Sequence, residues 1–390
     1  MIISVPKETA DHEKRVAITP GVVERFVENG HEVRIQQGAG EQSSYVDEHY
    51  KEVGAKVVED ADSIFSDTDL IIKINAPTDE QVELMQEGTT LVCLLWALQN
   101  EELVEKLKKQ KVSVLSMDAI PRISRAQSMD VLSSMASIAG YKSALLGANQ
   151  LDRYMPMMMT AAGTIKPANV LVLGAGVAGL QAIATAGRLG AKVEAFDIRP
   201  EVKEQVESLG ADFVEVPMEE EDTETEGGYA KELAEDEQER QRQVIHEHCK
   251  KSDIVITTAR IPGKKPPLLV TEEMVKDMHT GAVIVDLAAE EGGNCEITEP
   301  GETAHKHDVF IMGPLNLPST MAYHASQLYA KNMQSLLDHL IDEEGNIQFD
   351  FEDQITKETT ITHDGELVSP QVTGEEEDSE DSGETEETKE

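Results

Sequence analysis

Cysteine is scarce in this chain: Cys93, Cys249 and Cys295 are the only three in 390 residues. They show no paired spacing, which points to a reducing compartment and no zinc site. Long apolar runs are missing too. The longest, Leu91 to Leu98, is far too short to cross a bilayer. No basic segment followed by an apolar one opens the chain, so no export signal is expected. Positive charge is in short supply: 34 Lys and Arg stand against 75 Asp and Glu, a net charge of −41. That balance argues against nucleic acid and against direct binding to anionic lipid. The acids have two readings. One is a solvated surface suited to high salt, where screening removes self-repulsion; the other is a surface for a specific basic partner. Their spread along the chain favours the first.

What is present is enough for real cores. Hydrophobic residues make up 39%, and the length suits two domains. The stretch Asn169 to Arg199 carries the clearest signal. An apolar run, Val170 to Leu173, reads as a buried parallel strand. Gly174-x-Gly176-x-x-Gly179 follows at once, then a helical stretch closed by Gly190, then a strand, Lys192 to Phe196, ending on Asp197. Strand, glycine turn, helix and strand-end acid together form a dinucleotide-binding fingerprint. Gly174 permits the tight turn, Gly176 lets backbone approach a pyrophosphate, and Gly179 lets helix and strand pack closely. The exposed amides of the helix start, with its dipole, offer partial positive charge to phosphate. Asp197, 18 residues after Gly179, can accept from both ribose hydroxyls and repel a 2′-phosphate. Arg199 pulls the other way, since an arginine there could accept that phosphate.

The expected fold is α/β: two doubly wound domains with parallel sheets, the second a Rossmann NAD-binding domain, joined by long helices. Residues 1–130 form the first domain, completed by about 320–370; residues 131–319 form the second. A helix is expected from Leu132 to about Met159, with Met155, Met157, Met158 and Met159 as core filler. A hairpin is expected at Asp364-Gly365. From Gly374 onward the chain lacks apolar residues and reads as a disordered acidic tail. The polar segment Pro121 to Asp130 bridges the domains. It either lines a cleft with Arg122, Arg125, Gln127 and Asp130 or is a solvated linker. Gly227-Gly228-Tyr229 reads equally as a mobile flap or as an ordinary helix start.

Five segments carry a family resemblance: RISRAQSMDVLSS, MMMTAAGTIKPANVLVLGAGVAGLQAIATA, GGYAKE, TTARIPGKK and VIVDLAAEEGGNCE. Over roughly residues 1–370 the chain resembles the NAD(H)-binding alpha-subunit family (domain I) of proton-translocating NAD(P) transhydrogenases. That family lies in a superfamily shared with alanine dehydrogenase. The resemblance implies that Arg122, Gln127, Asp130 and Ser133, with Ile123, Ser124 and Arg125, hold the nicotinamide and pyrophosphate side. It puts Gln127 nearest the incoming NADP(H). It sets Val177, Ala178, Asp197, Ile198 and Arg199 at the nucleotide. It implies that Gly228 and Tyr229 close over NAD(H), and that Gln241 and Arg260 contact it, the latter through backbone. No metal is implied. The expected partners are a second copy of the chain and membrane-embedded subunits, one holding NADP(H), which would dock this chain on the cytoplasmic face. Alanine dehydrogenases differ at two positions, with a lysine and a histidine where this chain has Asn75 and Trp96. Amino-acid oxidation needs a base, and neither side chain is one. The rivals are an alanine dehydrogenase-like oxidoreductase and an NAD(H)-binding regulatory module.

Overall fold

The computed structural model describes residues 1–216, 235–260 and 264–374. Gly228, Tyr229, residues 261–263 and the tail beyond Gly374 lie outside the described residues. The first sheet is built from β1 (Ile2–Val5), β2 (Glu32–Gln36), β3 (Lys56–Val58), β4 (Leu70–Asn75), β5 (Thr90–Leu94) and β6 (Ser113–Ser116). A hairpin of β7 (Met158–Thr160) and β8 (Gly163–Ile165) stands apart from both large sheets. The second sheet takes β9 (Asn169–Leu173), β10 (Lys192–Phe196), β11 (Asp212–Phe213), β12 (Ile254–Thr257), β13 (Val283–Asp286), β14 (Thr303–Lys306) and β15 (Val309–Met312). The chain then returns to the first sheet with β16 (Thr360–His363) and β17 (Glu366–Leu367).

The parallel strands of the two sheets have one order. The first runs β3-β2-β1-β4-β5-β6, and β16 and β17 extend it antiparallel. The second runs β11-β10-β9-β12-β13-β15, with antiparallel β14 at its edge. Each parallel set is doubly wound, with a switch point beside its first strand. The central strands are apolar without alternation because both faces are covered. In β9, Val170 and Val172 enter one core while Leu171 and Leu173 enter the other. Around β4, Ile72 and Ile74 face one core and Ile71 the opposite one.

Two long helices join the halves. Val131–Gln150 places Val131, Met135 and Ile138 in the first core and Ala144 in the second. Ala322–Leu340 returns the chain and packs Tyr329, Met333 and Leu337 into the first core. Beyond it, Asp364 and Gly365, at φ 50° and 82°, form the expected tight hairpin turn between β16 and β17.

One expectation is corrected. The helix after Leu132 stops at Gln150, not near Met159. The helix ends where Leu151 turns extended at ψ 133°, and Pro156 bars its continuation toward Met159 by removing a backbone donor and pushing Met155 out of helical conformation. The methionines then separate: Met155 is buried, whereas Met157 and Met159 are 58% and 77% exposed on or beside the hairpin. They are not core filler.

Candidate functional site

The glycine turn lies at the carboxyl end of β9, at the switch point beside β12. Its three glycines have three different surroundings. Gly174 has φ +103°, and a Cβ there would sit 2.5 Å from Thr258 Oγ1. A Cβ on Gly179 would sit 1.8 Å from the Gly174 carbonyl oxygen, so helix Val177–Arg188 can lie on the strand only without one. Around Gly176 nothing lies within 4 Å of a Cβ, and Gly176 and Val177 are exposed. Ala178 is half-buried beneath them, and its carbonyl oxygen would be 2.0 Å from a Cβ on Gly140 of the first long helix. The open side of the turn is thus the start of a helix whose dipole and amides favour an anion. This cradle fits a pyrophosphate.

Asp197 is buried just beyond β10. Its Oδ2 accepts from the Ala175 amide at 2.7 Å and from Arg199 Nη2 at 3.0 Å. Oδ1 accepts from the Arg199 amide at 3.0 Å and from Arg199 Nε at 2.9 Å. The acid therefore braces the glycine turn and neutralises Arg199, which the expectation had set in opposition. Ile198 between them is half-buried against the second core.

A residue outside the expected set frames the wall behind the turn. Asp286, fully buried at the end of β13, gathers five donors. They are Thr257 Oγ1 at 2.9 Å, Thr298 Oγ1 at 2.8 Å, and the amides of Ala288, Asn294 and Cys295 at 2.9–3.0 Å. Asn294 then donates to the carbonyls of Ala259 and Pro267, both at 2.9 Å. Arg260 donates to the Leu287 carbonyl and pairs with Glu291 at 3.2 Å. Its guanidinium ties two strand ends together, so its backbone is what it can offer a ligand. Gln241 is buried on helix Glu235–Cys249.

The segment 121–130 is ordered, not a loose linker. Ser124–Met129 forms a 3-10 turn anchored by buried Ala126 and Met129. Ser124 and Gln127 are exposed on it, Arg122 is exposed just before it, and Ile123 is half-buried against the first core. Asp130 caps the long helix: Oδ1 accepts from the Ser133 amide at 2.8 Å and Oδ2 from Ser133 Oγ at 2.5 Å. Both residues thereby hold the helix start. Arg125, half-exposed, pairs its guanidinium with Asp353 of the C-terminal return.

The first sheet has a matching switch point between β1 and β4, but its own side chains fill it. Glu8 accepts from the Ile74 amide at 2.6 Å and Asn75 Nδ2 at 3.1 Å, and faces Lys73 Nζ at 3.7 Å. Glu13 binds Arg15 through both oxygens, at 2.8 and 2.6 Å, and accepts from Asn75 and Asn316 at 3.2 Å. Two carboxylates and two cations leave this crevice neutral. At the end of β5, Trp96 is 42% exposed with φ 52°, and its amide is held by Asp118 at 3.2 Å. Burial raises the Asp118 carboxyl, against the Ser116 hydroxyl and the amides of Trp96 and Leu95. Neither the amide of Asn75 nor the indole of Trp96 can take a proton as a base.

An open glycine turn on one doubly wound sheet, joined by long helices to another, defines a two-domain protein of the dinucleotide-binding class. The family described as "Alanine dehydrogenase/PNT" matches through both of its domains, the N-terminal one over residues 4–139 and the C-terminal one over residues 143–370. The chain belongs to this family. It is 48% identical over 382 residues to the first part of the NAD(P) transhydrogenase subunit alpha of Rhodospirillum rubrum, across 96% of this chain and 99% of that one. A solved transhydrogenase from Sinorhizobium meliloti superposes with a TM-score of 0.85 at 40% identity, covering 94% of this chain and 100% of that one. The alanine dehydrogenase of Methanococcus maripaludis is more distant, 32% identical over 330 residues, covering 83% and 82%.

Proposed function

We propose that this chain is the NAD(H)-binding component of a proton-translocating NAD(P) transhydrogenase. The observation that carries this reading is the pair Asn75 and Trp96. Hydride transfer between two nicotinamides moves no proton at the reacting carbons, so it needs positioning and no base. Oxidation of an amino acid needs both. Bound NAD(H) supplies the ring carbon that gives or takes the hydride. The amides of Val177 and Ala178 hold the pyrophosphate, and the space over Gly176 lets it approach. Asp197 faces the adenosine ribose. Arg199, already neutralised by Asp197, offers little to a 2′-phosphate, which favours NAD(H) here and NADP(H) on the partner. Arg122 and Gln127 set the ring's approach, and Asp130 and Ser133 fix the helix start beneath them. Gln241 and the backbone at Arg260 complete the contacts. Membrane subunits couple the transfer to proton movement and hold this chain at the inner face of the membrane.

The test mixes the purified chain with NADPH and an oxidised NAD analogue, with and without an NADP(H)-binding partner fragment. Reduction of the analogue only when the partner is present is expected. Reduction of NAD by L-alanine with this chain alone would make it a dehydrogenase instead.

A homodimer belongs to the same reading. It is supported by the hairpin, which carries Met159 and Ile165 exposed outside both sheets, next to exposed Met157. Covering one such side chain contributes about 1.5–3 kcal/mol, and a symmetric dimer loses two, so Met159→Glu should weaken self-association roughly 100-fold or more. Sedimentation equilibrium reads this directly, and a wild-type chain that is monomeric throughout would remove the dimer.

A further inference from the structure

The turn that bears Gln127 is gripped from outside its own segment. A 3-10 turn of six residues is weakly stabilised by its own hydrogen bonds, so its geometry follows its anchors. Ala126 and Met129 pack into the same core as Leu336, Leu340 and Ile355 of the C-terminal return. Two polar bonds come from the same return. Asn332 Nδ2 donates to the Ser128 carbonyl at 2.7 Å, and Arg125 Nη1 donates to Asp353 Oδ2 at 2.5 Å. The other oxygen of Asp353 is also used. It accepts from the Thr356 amide at 3.0 Å, capping helix Gln354–Thr359, and meets His339 Nε2 at 2.9 Å. Burial alone would raise this carboxyl; the Thr356 amide, His339 and Arg125 together hold it well below the usual range. Asp353 is thus an ionised hub between the return helix, the helix Gln354–Thr359 and the turn. Gln127 lies two residues beyond Arg125, exposed, and its side chain makes no hydrogen bond among the described residues.

We infer that Asp353, acting through Arg125, is a positioning residue that sets the placement of Gln127 and hence the approach of the two nicotinamide rings. This rests on the function proposed above. Asp353 serves here by fixing geometry, and misplacement of a reacting group by about 1 Å can cost roughly 100-fold in rate.

Asp353→Asn is the informative variant. Asparagine caps a helix as well as aspartate does, so the fold keeps its helix start, but the charge-assisted bond to Arg125 goes. Arg125→Ala removes the same bond from an exposed position and guards against a folding defect. Transfer from NADPH to the NAD analogue is measured with the partner fragment, NADH affinity by equilibrium dialysis, and melting by calorimetry. Each variant should slow transfer roughly tenfold while changing NADH affinity less than about twofold, and the double variant should be no slower than either. Transfer at the wild-type rate overturns the inference alone. So does a loss of rate, affinity and melting temperature in step, which would make Asp353 a stability residue only. Absence of transfer by the wild-type chain overturns the proposed function, and this inference with it.

Discussion

Gly176→Ala will weaken NADH binding roughly 10- to 100-fold and leave the melting temperature unchanged, whereas Gly179→Ala will damage both. The two positions are three residues apart in one turn, and their surroundings explain the split. Gly176 has φ −73° and ψ −169°, extended backbone open to any residue, and a Cβ there meets nothing within 4 Å. Its methyl group strains nothing in the empty protein. It projects into the space that a pyrophosphate needs to reach the helix amides. Gly179 is the opposite case. Its Cβ would lie 1.8 Å from the Gly174 oxygen and 3.3 Å from Thr258 Oγ1, so the helix must lift from the strand. Overpacking of this kind costs about 1–3 kcal/mol, and it displaces the turn that Asp197 braces through Ala175. Equilibrium dialysis and calorimetry on the two variants separate the effects. Wild-type affinity in Gly176→Ala would place the nucleotide somewhere other than this turn.

The contrast also shows which features of the site were legible in the sequence. The glycine turn was, because each glycine answers a local question of dihedral angle or approach distance. The doubly wound order followed from apolar strands alternating with helices. Other features depend on partners far along the chain. Arg125 meets Asp353 across 228 positions, and nothing around either residue announces the other. Asp286 ends an apolar strand, which hints at a buried acid, but its five donors run from Thr257 to Thr298. Asp197 looked like a ribose ligand only. Its second task, holding Arg199 and the Ala175 amide, depends on how the chain turns after β10. The hairpin was missed for a different reason: apolar methionines fit a helix interior and an exposed contact surface equally well, and Pro156 was the signal against the helix.

Glu13→Ala will destabilise the chain by about 3–5 kcal/mol, the cost of leaving a buried charge without its partner. At roughly 2–4 °C per kcal/mol, that is a fall of roughly 6–20 °C in melting temperature. Arg15 is 6% exposed and the Glu13 side chain is fully buried, so solvent cannot replace the lost carboxylate cheaply. The pH dependence has a definite sign. Burial alone would raise the Glu13 carboxyl, but the guanidinium and amide of Arg15, with Asn75, lower it from 4.5 to about 2. A carboxyl lowered on folding stabilises fully above its unfolded value, and that stability is lost as pH falls from about 4.5 through about 2. The acid limb of the stability curve should therefore flatten in Glu13→Ala. The same residue bears on the joint between the halves. Asn316, at φ 40° in the connection from β15 to the return helix, donates its side chain to Glu13 and its amide to Glu290 at 2.7 Å. Glu13 is thus tied through one residue to the turn after β13, where the nucleotide wall is built. Glu13→Gln keeps the shape and removes the charge, so it should fall between wild type and Glu13→Ala in calorimetry. Equal melting temperatures for all three would mean that Glu8, which already acts on Arg15, takes over the charge, and that the first crevice is neutralised as a group, not pair by pair.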